Sequence, residues 1–410
     1  MDNLGYLEKK AESLKKNKNL DALPLFFTPK ELDYLSKRSI AIVGTNGKTS
    51  TASLIFAYLK YFEKDVVKFI SPHLVQVNER IETNTGIIKD KELDKYLEEV
   101  KAFEEREKLV LGYFESLFLI SCKYFLDLDC DFFVVEAGIG GRLDTTSIIN
   151  SETVILTNIG LDHTDILGGS LKEILEEKIH ISDKVKNFFV GDDSVHNEYE
   201  NFIKEELGLD DSNYYLSEYP EPDRENWQDS DGVGVLDFRN RNLELAKGVM
   251  QEKFGNIADF SEFIVPTIDG RLDYCFSEFS DQTNFKVIDG AHNGSAINAL
   301  FCALESIEQD NFPKKIECFL GIKKGKDYKK IVDALVKDVF DGKVRDYLTI
   351  SLIEGDAFEE QMEPTIIAEY LTDLGVEYKY ASIEDFHSCK EPSILLGSLY
   401  LAGEYIKEFR

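Results

Sequence analysis

A short glycine-rich segment that ends in lysine and hydroxyl residues is the first part of the sequence that could carry out chemistry. It reads Gly44-Thr45-Asn46-Gly47-Lys48-Thr49-Ser50, with an apolar run before it and a helical pattern over 51–62 after it. Small residues let backbone N–H groups surround phosphate oxygens, and the N-terminus of the next helix favours negative charge. Lys48 would lie on the β- and γ-phosphates, and the hydroxyl of Thr49 or Ser50 would face Mg²⁺. The segment therefore predicts a site for ATP or GTP.

An acidic residue at the end of an apolar run is the second such feature. The run 131–135 leads to Glu136, and the glycine-rich stretch 138–142 follows at once. An isolated acid in this position is usually a solvated strand end. A carboxylate at the carboxyl end of a strand beside a phosphate loop, however, is where the Mg²⁺ of a nucleotide is normally held. We therefore interpret Glu136 as a Mg²⁺ ligand.

Three of the six histidines also follow predicted strands. His73, His163 and His292 each come after an apolar run, among prolines, glycines or acids. The carboxyl ends of parallel strands form the ligand-binding edge of a sheet, so these three residues favour a site. The other histidines, His180 among them, are expected to be structural.

These residues need elements that bring them together, and the sequence alternates between β-rich and helical runs. The first predicted strands are 39–43, 66–70, 131–135, 153–158 and 187–190, with helices such as 91–107 and 171–181 between them. A second series has strands at 285–288, 315–320, 347–352, 377–381 and 393–396, with helices at 295–307 and 365–374. Alternation of this kind predicts an α/β fold of βαβ units with mainly parallel sheets. We place the domain boundary near 264–269, which gives domains 1–265 and 266–410, and expect the polar stretch 210–231 to be a surface excursion.

The composition excludes several classes of protein. Asp and Glu outnumber Lys and Arg by 77 to 47 in 410 residues, which gives a formal net charge of −30. A surface this negative repels phosphate backbones and anionic lipids, so neither nucleic-acid nor membrane-surface binding is expected. The six cysteines suit neither a disulfide framework nor a zinc site. Because the start lacks a signal-peptide pattern and no apolar run spans a bilayer, we expect a cytoplasmic protein, and its charge favours a monomer.

Taken in order along the chain, the motifs resemble the folylpolyglutamate synthase and dihydrofolate synthase family of the Mur ligase superfamily. Besides the phosphate loop, the matching segments are Ser71-Pro72-His73-Leu74, Asn78-Glu79-Arg80-Ile81, Phe114-Glu115, 136–144, 157–164, Glu177-Lys178, Gly270-Arg271-Leu272, 289–293 and 397–404. The resemblance covers nearly the whole chain. It implies a P-loop ATPase domain followed by a C-terminal Rossmann-like α/β domain, with the nucleotide between them. It also implies an ATP-dependent ligase that converts a folate or dihydropteroate carboxylate to an acyl phosphate and joins it to the amine of L-glutamate.

The resemblance implies roles for individual residues as well. The loop with Lys48 holds the ATP phosphates, and the implied Mg²⁺ ligands are Ser71, Glu136 and His163. Lys178 would be carbamylated and hold a second Mg²⁺, whereas the residues alone predict a solvated helix lysine at this position. The implied ATP contacts are Asn242, Arg271 and Asp289, with His292 beside them. On the acceptor side, Asp144 lies in a segment that contacts the pteroate, and Arg142 is a local cation for anionic substrates.

The sequence departs from the family pattern at two informative places. Thr49 follows Lys48 directly, as in the cell-wall ligases of the superfamily, where the folate ligases usually have Gly. This junction shifts the expected Mg²⁺ hydroxyl from Ser50 to Thr49. After Lys178 the family usually reads Ala-Gly-Ile, but this chain has Ile179-His180-Ile181, which predicts crowding near the second metal.

Three hypotheses follow. The first is a folate ligase that adds glutamate to dihydropteroate, to a folate, or to both. The second is a superfamily ligase with another acid acceptor, such as a cell-wall precursor or a polyglutamate chain. The third is a nucleotide-binding regulatory or structural relative without catalysis, which has no physical need for two metal sites.

Overall fold

The computed structural model describes residues 3–12, 20–217, 237–255, 260, 262–271, 273–274, 286–306, 315–338, 348–355, 357–358 and 360–410. These residues form two compact units. Of the described residues, the first unit contains those within 3–217 and 241–263, and the second contains 237–240 and those within 264–410. No helix in the described ranges is both long enough and apolar enough to cross a membrane.

The first unit is built on an eight-stranded sheet. Its strands are β1 (Ser39–Val43), β2 (Val66–Phe69), β3 (Ile81–Thr83), β4 (Gly86–Ile87), β5 (Phe132–Glu136), β6 (Thr153–Leu156), β7 (Asn187–Val190) and β8 (Tyr214–Leu216). They lie in the order β4-β3-β2-β5-β1-β6-β7-β8. In this spatial order, neighbouring strands from β2 through β5, β1, β6 and β7 to β8 are parallel. At one edge, β3 pairs antiparallel with both β2 and β4. Strands such as β1 are buried along their whole length, which explains why they are continuous apolar runs in the sequence.

Helices connect and cover these strands. They are α1 (Asn3–Glu12), α2 (Pro29–Arg38), α3 (Lys48–Tyr61), α4 (Asp90–Glu107), α5 (Tyr113–Leu128), α6 (Thr164–Leu167), α7 (Leu171–Ile179), α8 (Asp193–Leu207) and α9 (Asp237–Phe254). Reciprocal side-chain and backbone hydrogen bonds begin two of them: Thr28 with Glu31 starts α2, and Ser170 with Glu173 starts α7. Such capping boxes satisfy N–H groups that have no partner within the helix. The start of α7 is thereby fixed, and this helix carries Lys178.

The second unit has a six-stranded sheet of its own. Its strands are β9 (Asp273–Tyr274), β10 (Lys286–Ile288), β11 (Ile316–Leu320), β12 (Leu348–Ile353), β13 (Tyr378–Ala381) and β14 (Ser393–Leu396). The order is β13-β12-β11-β14-β10-β9, and only the β9–β10 pair of these is antiparallel. The helices are α10 (Gly294–Ser306), α11 (Tyr328–Asp333), α12 (Pro364–Asp373), α13 (Ile383–Ser388) and α14 (Leu399–Phe409), and a π-helical stretch (Ala334–Asp338) continues α11. A buried apolar cluster from α10, α12 and the central strands forms the core.

The predicted α/β class with mainly parallel sheets is confirmed. Element bounds differ where local geometry decides them. Helix α3 begins at Lys48 and not at 51, because Gly47 with φ +80° ends the loop and caps the helix. The polar stretch 210–231 was expected to be an excursion, but Tyr214–Leu216 pairs with β7, and the rest of the stretch from 218 lies outside the described residues. The sequence patterns also did not predict the β3–β4 hairpin or α5, a helix with few polar positions to reveal a helical period.

Candidate functional site

The glycines of the phosphate loop are required by close approaches of the chain. Gly44 has φ +151°, and a Cβ there would lie 1.9 Å from Thr157 Oγ1. Gly47 has φ +80°, and a Cβ there would lie 2.8 Å from Asn242 Oδ1. Residues other than glycine are disfavoured at both positions, because a positive φ strains a residue with a Cβ and because Thr157 or Asn242 occupies the space that the Cβ would need. The two glycines therefore let the loop pack closely against Thr157 and Asn242.

The segment after β6 holds the loop in shape. The N–H of Thr45 donates to the Asn158 carbonyl (3.1 Å), and the N–H of Asn46 donates to Asn158 Oδ1 (2.9 Å). Thr157 Oγ1 donates to the Asn46 carbonyl at 2.6 Å, and the N–H of Gly160 donates to Thr45 Oγ1 at 2.9 Å. Thr157 and Asn158 were part of a matching motif but were not predicted as site residues. Their position at the end of the strand next to β1 is the signal that could have identified them.

Two lysine amino groups meet at one carbonyl of this loop. Lys48 Nζ donates to the carbonyls of Gly44 (3.1 Å) and Thr45 (3.2 Å). Lys178 Nζ donates to the same Gly44 carbonyl at 2.8 Å. The structure thus brings together two lysines that are both predicted site residues, although 130 positions separate them in the chain.

Lys178 is buried, so the interpretation of this residue as a solvated helix lysine is wrong. Only 4% of the residue is exposed. Burial, with a further contribution from the positive charge of Lys48, lowers the pKa of the Lys178 amine to about 7. Asp162, Asp144 and Glu177 oppose this shift only in part. Part of the amine is therefore neutral near pH 7, and the neutral amine is the form that can act as a nucleophile.

Thr49, Glu136 and Ser71 form a second group beside the loop. The Thr49 hydroxyl lies 2.9 and 3.0 Å from the two carboxylate oxygens of Glu136, to which it donates. The N–H of Ser71 donates to Glu136 Oε2 at 3.1 Å. Glu136 is 2% exposed and is the last residue of β5, whose neighbours β1 and β2 lead to Thr49 and Ser71 respectively. Of the two hydroxyls considered for Mg²⁺, the structure joins that of Thr49 to the carboxylate.

The glycine-rich stretch after β5 packs against the end of α7. A Cβ at Gly141 would lie 2.4 Å from the Lys178 carbonyl oxygen. The N–H of Arg142 donates to the Glu177 carbonyl at 2.8 Å, and the N–H of Leu143 donates to Glu177 Oε1 at 3.0 Å. Glu177, quoted with Lys178 as a motif but given no role, is therefore a link between α7 and this loop.

The two predicted acceptor-side residues differ in surroundings. Asp144 is buried, and its carboxylate accepts hydrogen bonds from the N–H of Ile139 (2.9 Å) and from the N–H and hydroxyl of Thr146 (3.0 and 2.7 Å). Arg142 is half exposed, with its Nη2 3.3 Å from Glu176 Oε1 and 3.1 Å from His180 Nδ1. Asp144 therefore holds the loop, whereas the guanidinium of Arg142 reaches the surface.

His73 follows β2 and His163 follows β6, and two other strands, β5 and β1, lie between these in the sheet. His163 has φ +51° and immediately precedes α6, with Nε2 3.9 Å from Asp162 Oδ2. His73 Nδ1 accepts a hydrogen bond from Arg80 Nε at 2.9 Å, and burial and the Arg80 charge lower the pKa of His73 to about 4. His73 is therefore a neutral acceptor for Arg80, which is a structural role that the sequence pattern did not distinguish from a ligand.

The remaining predicted nucleotide contacts belong to both units. Asn242 lies in the first unit, where its Oδ1 accepts from Thr51 Oγ1 at 3.3 Å. Asp289 follows β10 in the second unit, and its Oδ1 accepts from the N–H of Ala291 at 2.7 Å. The N–H of Gly290 donates to the Gly270 carbonyl at 2.9 Å, which places the turn before Arg271 beside the Asp289 loop. His292 Nδ1 lies 2.8 Å from the Gly290 carbonyl in the same loop.

The donor set beside the phosphate loop fits a hard divalent cation. A buried carboxylate and hydroxyl oxygens are the ligands that Mg²⁺ prefers, and Mg²⁺ usually takes only one or two carboxylates together with waters and substrate phosphates. In the described part of the chain, no group of three His, Cys, Asp or Glu side chains is arranged to hold a metal by itself. The arrangement therefore suits a metal that shares its ligands with a nucleotide.

Comparisons with known proteins agree with this geometry. Residues 42–209, which include the loop, Glu136 and Lys178, match the Mur ligase middle domain. A dihydrofolate synthetase from Saccharomyces cerevisiae is 28% identical over 415 residues, covering 91% of this chain and 93% of the relative. A dihydrofolate synthase/folylpolyglutamate synthase from Buchnera aphidicola subsp. Acyrthosiphon pisum is 27% identical over 80% of each chain.

Solved structures show the same fold. The E. coli FolC structure in complex with ADP has a TM-score of 0.79 at 19% identity, covering 99% of this chain and 97% of that chain. The bifunctional folylpolyglutamate synthase/dihydrofolate synthase structure with Mn, AMPPNP and L-glutamate bound has a TM-score of 0.77 at 23% identity, covering 100% and 98%. The chain thus contains a region that matches the Mur ligase middle domain, and over most of its length it is similar to dihydrofolate synthases and folylpolyglutamate synthases.

Proposed function

We propose that the chain is an ATP-dependent ligase that joins a carboxylate of a folate or of dihydropteroate to the amine of L-glutamate through an acyl phosphate. The observation that carries this proposal is the convergence of Lys48 and Lys178 on the Gly44 carbonyl, in the same loop whose Thr49 is bonded to Glu136. Relatives that match most of the chain are named dihydrofolate synthetase and dihydrofolate synthase/folylpolyglutamate synthase, which supports these activities.

The chemistry needs ATP because a carboxylate is a poor acyl donor. Transfer of the γ-phosphoryl group to the carboxylate gives an acyl phosphate, and attack by the glutamate amine then releases phosphate and leaves the amide. Negative charge develops on the phosphoryl oxygens during transfer, so the protein acts mainly by stabilising charge and positioning the reactants. Lys48 and the backbone N–H groups at the start of α3 would bind these oxygens. Asn242, Arg271, Asp289 and His292 are proposed contacts for the rest of the nucleotide.

A divalent cation, Mg²⁺ in our proposal, would be held by Glu136, with Thr49, Ser71 and His163 contributing beside it. When bound, such an ion neutralises phosphate charge and acts as a Lewis acid. The hydroxyl of Thr49 and the N–H of Ser71 orient the Glu136 carboxylate from two sides. This orientation prepares the carboxylate before the nucleotide arrives.

We further propose that Lys178 is carbamylated. Its partly neutral amine would add to CO₂ with loss of one proton, which turns a cation into a carboxylate suited to a second metal. The low pKa of this buried amine supports the reaction, because only the neutral form is nucleophilic. Asp144 and Arg142 would contribute to the acceptor side, Asp144 by shaping its loop and Arg142 by binding substrate anions.

For the chain as a whole, we propose an N-terminal ATP-binding domain of residues 1–265, a C-terminal domain of residues 266–410, a monomer, and a cytoplasmic location. The substrates would be small molecules only. The acidic composition supports the absence of nucleic-acid and lipid-surface partners.

A second candidate is a Mur-superfamily ligase with a non-folate acid, such as a cell-wall precursor or a polyglutamate chain. One observation favours it: Thr49 follows Lys48 directly, as in the cell-wall branch, and its hydroxyl contacts Glu136. The same nucleotide chemistry would serve either acceptor.

Labelled glutamate separates the two candidates. The purified chain is incubated with ATP, Mg²⁺, bicarbonate and labelled L-glutamate, with dihydropteroate, tetrahydrofolate or a cell-wall precursor in separate reactions. We expect label in dihydropteroate, in tetrahydrofolate, or in both, with one ADP formed per amide. Label only in the cell-wall precursor would assign the chain to the second candidate, and no ATP turnover with any acceptor would refute both.

A further inference from the structure

The carboxylate of Glu177, in the last turn of α7, has no role in the chemistry proposed above. Its Oε1 accepts a hydrogen bond from the N–H of Leu143 at 3.0 Å, and the Glu177 carbonyl accepts one from the N–H of Arg142 at 2.8 Å. One residue therefore binds two consecutive N–H groups of the loop that follows β5. The next residue in the helix is Lys178, so the same turn carries the anchor of this loop and the buried amine.

The space that this carboxylate occupies is left open by a glycine. Gly140 has φ +82°, and a Cβ there would lie 3.0 Å from Glu177 Oε1. A residue other than glycine is disfavoured at this position, because a positive φ strains a residue with a Cβ and because the carboxylate oxygen is so close. The loop backbone therefore passes the Glu177 side chain closely at Gly140 as well as at Leu143.

The contact made by this side chain is a hydrogen bond to the backbone and not a salt bridge. None of the ion pairs among the described residues includes Glu177, and the neighbouring Glu176 pairs with Arg142 instead. Of the three carboxylates that oppose the lowering of the Lys178 pKa, Glu177 contributes least. The contacts of Glu177 are therefore those of a hydrogen-bond acceptor for the loop.

The loop that Glu177 holds is the one that carries the predicted acceptor-side residues. Its inner contact is made by Asp144, whose carboxylate accepts the N–H of Ile139 at 2.9 Å. Residues 139–144 are therefore fixed by Asp144 from within and by Glu177 from outside. The second anchor comes from another element, and it sets where the backbone of Arg142 lies relative to α7.

We propose that Glu177 is a positioning residue for the acceptor substrate. Through the hydrogen bond of its side chain to Leu143, it holds the loop 139–144 in the conformation that binds the anionic acceptor. This inference rests on the proposed function, in which Arg142 and Asp144 serve the acceptor side. A loop that is already held in its binding conformation loses less conformational entropy when the substrate binds.

The nucleotide does not depend on this hydrogen bond. The phosphate loop is held by Thr157 and Asn158 of the segment after β6, through hydrogen bonds that do not involve α7. Loss of the Glu177 side chain therefore weakens binding of the acceptor and leaves binding of ATP nearly unchanged. This separation distinguishes a positioning role from general damage to the site.

The test compares two substitutions at Glu177 in the full-length protein. E177A removes the side-chain oxygen, whereas E177Q keeps an oxygen that can accept the same N–H and removes only the charge. The KM for ATP and the KM for the acceptor are measured, with whichever of dihydropteroate, tetrahydrofolate or a non-folate acid the wild type uses. We expect E177A to raise the acceptor KM about tenfold, the factor for one hydrogen bond to a charged group, and to keep the ATP KM within about twofold. E177Q should resemble the wild type, and E205A, at an exposed position of α8, is the matched control that should change neither KM.

Hydrogen–deuterium exchange gives a second readout that needs no turnover. The N–H of Leu143 is bonded to the side chain of Glu177, whereas the N–H of Arg142 is bonded to its backbone carbonyl. E177A should therefore speed exchange at Leu143 more than at Arg142, and E177Q should keep the slow exchange at Leu143. Urea unfolding checks that both variants remain folded.

Each other outcome has a definite meaning. An unchanged acceptor KM in E177A, or an equal rise of both KM values, would overturn the proposal. Equal losses in E177Q and E177A would assign the effect to the charge of Glu177 and would also overturn it. If the wild type uses only a non-folate acid and E177A raises the KM for that acid alone, the folate function fails and the positioning role stands.

Discussion

At the scale of single residues, the site depends on how burial changes side-chain chemistry. The sequence identified Lys48 and Glu136 from their own surroundings, because a glycine-rich turn and a strand end are local patterns. Lys178 was assigned only through resemblance. Its burial and its contact with Gly44 arise from parts of the chain that are far apart in sequence, and no local pattern encodes such contacts. The neutral state of His73 likewise depends on its burial and on the nearby charge of Arg80, which a local sequence pattern does not encode.

Replacing Lys48 by Met should abolish most of the activity while the protein stays folded. Loss of one preorganised positive group at developing phosphoryl charge costs about 100-fold or more in kcat. Steady-state ADP formation measures the effect, and circular dichroism checks the fold. Lys60→Met is the control, since Lys60 lies on the same helix with its amine over the Phe56 ring. Equal activity of the two variants would contradict the role of Lys48.

Lys178 should make stability depend on pH in a defined direction. Its pKa is about 7 in the folded protein and near 10.5 when unfolded, so the unfolded chain binds more protons between these values. The free energy of unfolding therefore increases as pH rises from about 7 to about 10.5. Below about pH 7 the amine is protonated in both states, and the full cost of burying its charge lowers the stability of the folded protein. Relative to Lys178→Met, the wild type should be less stable at about pH 6.5 and recover by about pH 9.5.

Urea unfolding of both proteins in CO₂-free buffer measures this difference. Carbon dioxide is excluded because a carbamate would change the titrating group. A constant difference in unfolding free energy between wild type and Lys178→Met across that pH range would show that the amine keeps its ordinary pKa.

At the scale of elements, α7 and the glycine-rich stretch after β5 form one structural piece. Family resemblance predicted crowding where Ile179-His180 replaces Ala-Gly. In the structure, Gly141 approaches the Lys178 carbonyl closely, Ile179 is buried, and His180 contacts Arg142. Sequence patterns found both elements but could not show their contact, because the register between a loop and a helix depends on packing.

Gly141→Ala tests that contact. A methyl group would lie 2.4 Å from the Lys178 carbonyl oxygen, so backbone must shift. We expect a loss of about 1–3 kcal/mol in the free energy of unfolding, as for other overpacked sites, together with lower activity. Gly169→Ala is the matched control, because nothing lies within 4 Å of a Cβ there. Both quantities come from urea titration and the ADP assay, and similar losses in the two variants would argue against the close approach.

At the scale of the whole molecule, the chain combines two mainly parallel sheets with an acidic composition. The alternation of strand and helix patterns predicted both sheets and their class, since buried parallel strands leave long apolar runs. Short antiparallel strands such as β3 and β4 were not predicted, because runs of two or three residues carry little periodic signal. Because the protein, ATP, folates and glutamate are all anionic, we expect binding to depend on local cations such as Lys48 and Arg142.

The same charge makes a prediction about assembly. A formal charge of −30 repels a second copy of the chain, and this repulsion is strongest at low ionic strength. Sedimentation equilibrium should therefore give the mass of one 410-residue chain at low and at physiological salt. A mass of two chains at micromolar concentration, especially at low salt, would refute the proposed monomer.

The most direct test of the proposed chemistry follows oxygen atoms. The acceptor, dihydropteroate or tetrahydrofolate, is prepared with ¹⁸O at both oxygens of the reacting carboxylate and incubated with ATP, Mg²⁺ and L-glutamate. An acyl phosphate requires one carboxylate oxygen to leave with the phosphoryl group, so the account predicts one ¹⁸O in each phosphate released. Phosphate without ¹⁸O, formed while the amide accumulates, would contradict it.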